Sequence, residues 1–96
     1  MTPEELIRIG IRLRDVRLQR GVSQKELAAR ASLSTTQISS IEHGRHITLD
    51  SVVALATVLD VSLDYIIRGI RPQAGAWGLI FRSDDELDDR MVSMMQ

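Results

Sequence analysis

The sequence predicts an all-α fold of five short helices followed by a tail of different character. Three observations carry that prediction. Hydroxyl residues followed three positions later by Glu or Gln recur where helices would begin, and glycines recur where they would end. Between those marks apolar residues repeat with helical spacing, and period-two alternation is absent from the first 69 residues. The connections are two to six residues long, which suits packed helices and leaves no room for the crossovers of a parallel sheet.

Each element follows from its punctuation. Thr2 supplies an N-cap hydroxyl, Pro3 the favoured first helical residue and Glu5 the reciprocal acceptor, so a helix is expected over about residues 3–20. Gly10 is its one breaker, Gly21 its natural left-handed stop, and Ile9, Leu13, Val16 and Arg20 share one stripe. Ser23 and Glu26 open a second, short helix that carries Leu27, Ala28 and Ala31. Ser34 and Gln37 open a third, with Ile38 and Ile41 to bury and Gly44 to end it. Thr48 precedes Leu49, Val52, Leu55, Ala56 and Leu59, a broad apolar face suited to a central packing helix. Ser62 caps a last short turn from Leu63 to Arg68, stopped by Gly69.

Composition narrows the function classes. A chain of 96 residues holds one small domain and an appendage. Cysteine is absent, which removes disulfides, thiol nucleophiles and cysteine-based metal sites together. No apolar run approaches the roughly 18–20 residues of a membrane span, and the acidic start Glu4-Glu5 is unlike a signal peptide. A cytoplasmic protein without membrane contact is expected. The net charge of −1 hides an asymmetry: residues 1–72 carry ten basic and eight acidic side chains, residues 73–96 two and five. The acidity therefore belongs to the tail, and the N-terminal part is mildly basic.

Residues 23–44 are the informative stretch: a nine-residue helix, a polar turn at Ser32-Leu33-Ser34 and a second nine-residue helix form a helix-turn-helix. Apart from Ile38 and Ile41, the second helix presents Thr35, Thr36, Gln37, Ser39, Ser40 and His43. A purely solvated helix would carry better helix formers such as Glu, Lys and Arg. Short donors and acceptors on a protruding helix suit base edges in a major groove. The bland alternative is that Ser and Thr are tolerated on a well-packed helix.

The spacing Ser23-Gln24-x-x-Leu27-Ala28, Leu33-Ser34, Ile38-Ser39-x-Ile41-Glu42-x-Gly44 resembles that of the lambda-repressor and Cro family, also called Xre-like. The resemblance covers roughly residues 9–69. It implies a repressor-like DNA-binding domain over residues 1–69, with the helix-turn-helix at about 23–43. It also implies roles for single residues. Gln24 would bond a DNA phosphate and brace the recognition helix, with Lys25 and Arg45 as further phosphate contacts. Thr35, Thr36 and Ser40 would face bases, with Gln37 and Ser39 as second choices. Arg17 and Glu42 would form a partly buried salt bridge; the alternative is two exposed charges. Where the family commonly has Gly in the turn, this chain has Ser32, and the recognition helix lacks Arg and Lys.

Other chemistry finds little support. His43 and His46 are three residues apart across a glycine, with no third ligand nearby, so no metal or other cofactor is expected. No nucleophile elbow, acid–base pair or phosphate loop is present, so no catalytic residue is assigned and an enzyme is not expected. Residues 70–96 read as a linker, a β-prone run from Trp77 to Arg82 and an amphipathic helix capped at Ser83. Trp77, Leu79, Phe81, Leu87, Met91 and Met94 are the expected dimer interface. The alternative is a tail that folds back on its own domain or frays. The expected function is a sequence-specific transcriptional regulator, a repressor acting as a homodimer on a palindromic double-stranded operator. The other class considered is an antitoxin-type module that neutralises a protein partner and autoregulates its operon.

Overall fold

The computed structural model describes residues 1–71. The expected strand at 77–82, the Met-rich helix and the interface residues Trp77, Leu79, Phe81, Leu87, Met91 and Met94 lie outside the described residues. Within them the fold is all-α. Four helices, α1 (Pro3–Gln19), α2 (Gln24–Ala31), α3 (Thr35–Glu42) and α4 (Leu49–Leu59), precede a π-helical turn, α5 (Asp64–Arg68).

Every helix from α1 to α4 begins on a closed capping box. Thr2 with Glu5, Ser23 with Glu26, Ser34 with Gln37 and Thr48 with Ser51 each exchange side-chain and backbone bonds. Two otherwise unpaired N–H groups are satisfied at each start. The last pair uses Ser51 where Glu or Gln is usual, and Ser51 is buried for that purpose. In α5 the Ser62 hydroxyl accepts from the Tyr65 N–H at 3.1 Å.

The ends are as local as the starts. α2 and α3 are each one residue shorter than expected, at eight residues. Ser32 turns into the left-handed region (φ 59°, ψ 42°), and its Leu33 N–H reaches back to the Ala28 carbonyl at 2.9 Å. Ser32 thus adopts a conformation that favours Gly, at the steric cost a Cβ imposes there. α3 closes when the Arg45 N–H bonds the Ser40 carbonyl at 2.8 Å and the Gly44 N–H bonds Ile41 at 2.9 Å.

One core holds the five elements together. Ile9, Leu13 and Val16 of α1 meet Leu27 of α2, Ile38 and Ile41 of α3, Leu55 and Leu59 of α4 and Ile66 of α5. α1 crosses behind α3, α4 and α5, while α2 packs on α3 and α4. Arg20, placed by its spacing on the apolar stripe of α1, is exposed instead. Its guanidinium reaches the Leu59 carbonyl at 2.9 Å and the Asp60 carbonyl at 3.1 Å, closing the C-terminus of α4. Arg12 does the same for α5, donating to the Ile66 carbonyl at 2.9 Å.

Candidate nucleic-acid interface

The surface of α3 is built from the inside out. Ile38 and Ile41 are anchored in the core, which fixes the rotation of the helix. Thr35, Thr36 and Gln37 are then exposed, and Ser39 and Ser40 are half-buried. Apart from the longer Gln37, these side chains are short, uncharged and hold few rotamers, so little entropy is lost when they meet a ligand. The only charged residue of α3, Glu42, is turned inward and buried.

Glu42 is the hub of a buried network. Arg17 Nε donates to Glu42 Oε2 at 2.6 Å, and Arg17 Nη2 donates to Glu42 Oε1 at 3.2 Å, a two-pronged pair. The third guanidinium nitrogen, Nη1, donates to the Val22 carbonyl at 3.0 Å. Gln24 Nε2 adds a bond to Glu42 Oε1 at 3.0 Å. With both carboxylate oxygens and all three guanidinium nitrogens engaged, this buried pair has the satisfied geometry that burial demands. Its mechanical effect is to tie the end of α3 to α1 and to the first residue of α2.

The other candidate residues divide by what already occupies them. Gln24 is half-buried, with one amide hydrogen given to Glu42 and the other available. Lys25 and Arg45 are exposed at the start of α2 and just past the end of α3. Gln37 is exposed, and its Oε1 accepts from the Ser34 N–H at 2.8 Å, which leaves both amide hydrogens and one lone pair to offer. His43 Nδ1 lies 2.8 Å from the Ser39 carbonyl, an acceptor, so the ring donates there. Among the described residues no three His, Cys, Asp or Glu side chains converge as a metal site requires.

A groove of about 660 Å³ runs along one side of α3. Thr36, Gln37, Ser40 and Ile41 of α3 line it together with Leu33, His46, Thr48 and Asp50.

The helix-turn-helix family of the Cro type, Xre-like, matches residues 13–66, more than half of the chain. The chain belongs to this family. No curated protein matches it. This Xre-like protein is therefore a DNA-binding transcription regulator, from a family of regulators and not of enzymes. The match spans α2, the turn and α3, the stretch that its capping boxes and core residues define. Among the described residues of this Xre-like chain, no helix is long and apolar enough to cross a membrane.

Spacing alone could not reveal two features of the site. Gly10 reads as a helix breaker, but a Cβ there would lie 2.5 Å from the Ile41 carbonyl oxygen and 2.7 Å from that of Glu42. Its missing side chain lets α1 abut the end of α3. At Gly44 (φ 82°) a Cβ would lie 2.8 Å from the Ile7 Cα, so glycine is required there for both conformation and space.

Proposed function

We propose that this protein is a sequence-specific repressor that binds a palindromic operator as a homodimer. The observation that carries the reading is an α3 whose outward groups are all neutral hydrogen-bonding side chains while its one charge is buried against Arg17. Thr35, Thr36 and Ser40 would contact base edges, with Gln37 and Ser39 beside them. Gln24, Lys25 and Arg45 would hold the phosphates. Such a division places discrimination on α3 and salt-dependent affinity on its flanks.

Dimerisation follows from the size of the reading head. One eight-residue helix spans only a few base pairs and brings no free cation to the groove. Two linked copies make the second contact intramolecular, and that raises affinity without new chemistry. Their recognition helices would sit about 34 Å apart to meet successive grooves on one face of DNA. Trp77, Leu79, Phe81, Leu87, Met91 and Met94 supply apolar material for the interface, beside the exposed Val53 and Leu63 of the domain.

Repression then needs only occupancy of a promoter by the bound dimer. The domain would comprise residues 1–69 and the dimerisation element residues 70–96. Selection of duplexes from a random pool tests the reading, using the whole chain and a chain ending at Arg71. The whole chain should enrich an inverted repeat, and the shortened chain a single half-site bound more weakly. Enrichment of one asymmetric site by both chains would count against the dimer.

A further inference from the structure

Helix α1 is apolar on two sides. Ile9, Leu13 and Val16 face the core, while Ile7, Ile11 and Leu18 stand on the opposite side, 48%, 48% and 51% exposed. At 3.6 residues per turn these three fall on one stripe about 16 Å long, with the exposed Arg14 at one edge between Ile11 and Leu18. Isolated exposed aliphatics are ordinary; here Gly44 abuts the Ile7 end of the set, and among the described residues the remainder, on the longest helix, is an open apolar surface.

The charges beside the stripe identify what covers it. Glu4, Arg8, Asp15 and Gln19 form a row along one flank, all four exposed. Arg8 and Asp15 take no part in the three ion pairs of the described residues. A two-fold axis perpendicular to α1 sets the same flank of each copy against the other, running in opposite directions. Centred midway between Ile11 and Arg12, that axis brings Arg8 of each copy opposite Asp15 of the other and Glu4 opposite Gln19. Ile11 then packs beside Ile11, and Ile7 beside Leu18, the interdigitation expected of antiparallel helices about 8–10 Å apart. The row reads as complementary to itself only in this antiparallel sense.

We propose that the outer face of α1 is a self-association surface that takes α1 of a second copy in antiparallel register, held by the Ile7, Ile11 and Leu18 stripe and by two Arg8–Asp15 pairs. It is distinct from the C-terminal dimer element.

The test is sedimentation velocity on the full chain, compared with Ile11→Lys, Arg8→Asp, Asp15→Arg and the double variant Arg8→Asp/Asp15→Arg. Each single change places a charge on the stripe or two like charges across the axis, and should weaken one association step by about tenfold or more. The double variant reverses both pairs and should return within about threefold of the parent. Single variants that associate like the parent, or a double variant no better than the singles, would overturn the proposal. All three positions are exposed, so the fold should be kept. Binding to a duplex with one half-site should be equal in all variants. Loss of that binding would indict the DNA reading, and the association result would still decide the surface.

Discussion

Gln24, the first residue of α2, is bonded to Glu42, the last residue of α3, through Gln24 Nε2 and Glu42 Oε1 at 3.0 Å. The same carboxylate takes both forks of Arg17 from α1. The two ends of the helix-turn-helix are thereby locked to each other and to the helix behind them. A regulator that must present short side chains to bases needs such stiffness, because a misaligned Ser or Thr has no length with which to recover a contact.

Removal of one member of the Arg17–Glu42 pair should cost far more than the pair contributes. Glu42→Ala leaves the Arg17 guanidinium buried with its principal acceptor gone, and a loss of about 3–5 kcal/mol is expected. Arg17→Met/Glu42→Leu, which removes both charges, should recover much of it. Denaturant melts of the three proteins decide: a Glu42→Ala midpoint near the parent's would mean that the pair bears no such cost. Gln24→Ala should leave stability within about 1 kcal/mol and weaken DNA binding more than it lowers the melt.

Gly10→Ala sets two effects against each other. Helix propensity alone favours alanine by about 1 kcal/mol. The new Cβ would meet the Ile41 carbonyl oxygen at 2.5 Å, and overpacking of this kind costs about 1–3 kcal/mol. Backbone cannot swing aside as a side chain can, so the clash should win and the melting temperature should fall. A rise would show that α1 and α3 can separate freely.

Much of this architecture was legible because it is local. Thr2 with Glu5, Ser23 with Glu26 and Ser34 with Gln37 act across three residues, so their spacing announces each start. The Cro-type match gives the family plainly. What stayed hidden depends on distant partners. Arg12 caps α5 from 54 residues away and Arg20 caps α4 from 39, and nothing in their neighbourhood distinguishes them from solvated charges. Gly10 looked like a defect until α3 lay against it. Thr48 and Ser51 form a box with an unusual partner, so their pattern does not stand out in sequence. The readout residues are a case of their own, since exposure on α3 follows from core packing while base contact requires DNA.

The N-terminal cap predicts a pH dependence with a definite sign. The Thr2 backbone N–H, 2.7 Å from Glu5 Oε1, holds the Glu5 carboxyl below its ordinary value. Desolvation acts against it, and the N-terminal ammonium, the Thr2 hydroxyl and the Arg8 charge act with it. A carboxyl depressed in the folded state adds stability above its unfolded value of about 4.3, and that stability is lost as pH falls through the folded value. Glu5→Gln keeps a neutral acceptor for the same N–H. Melts of both proteins should therefore differ at neutral pH and converge in acid; a constant difference would mean that ionisation of Glu5 is irrelevant to the cap.

The central claim is that α3 reads bases while its cationic flanks only hold the duplex. The direct measurement is binding of Thr36→Ala, Ser40→Ala, Lys25→Ala and Arg45→Ala to the selected operator and to its single-base variants, at several salt concentrations. Thr36→Ala and Ser40→Ala should each lose about 1–3 kcal/mol of discrimination at one symmetric pair of positions and little elsewhere. Lys25→Ala and Arg45→Ala should weaken every sequence alike and reduce the salt slope by about one unit per half-site. Uniform weakening by Thr36→Ala and Ser40→Ala, with base preference unchanged, would contradict the account.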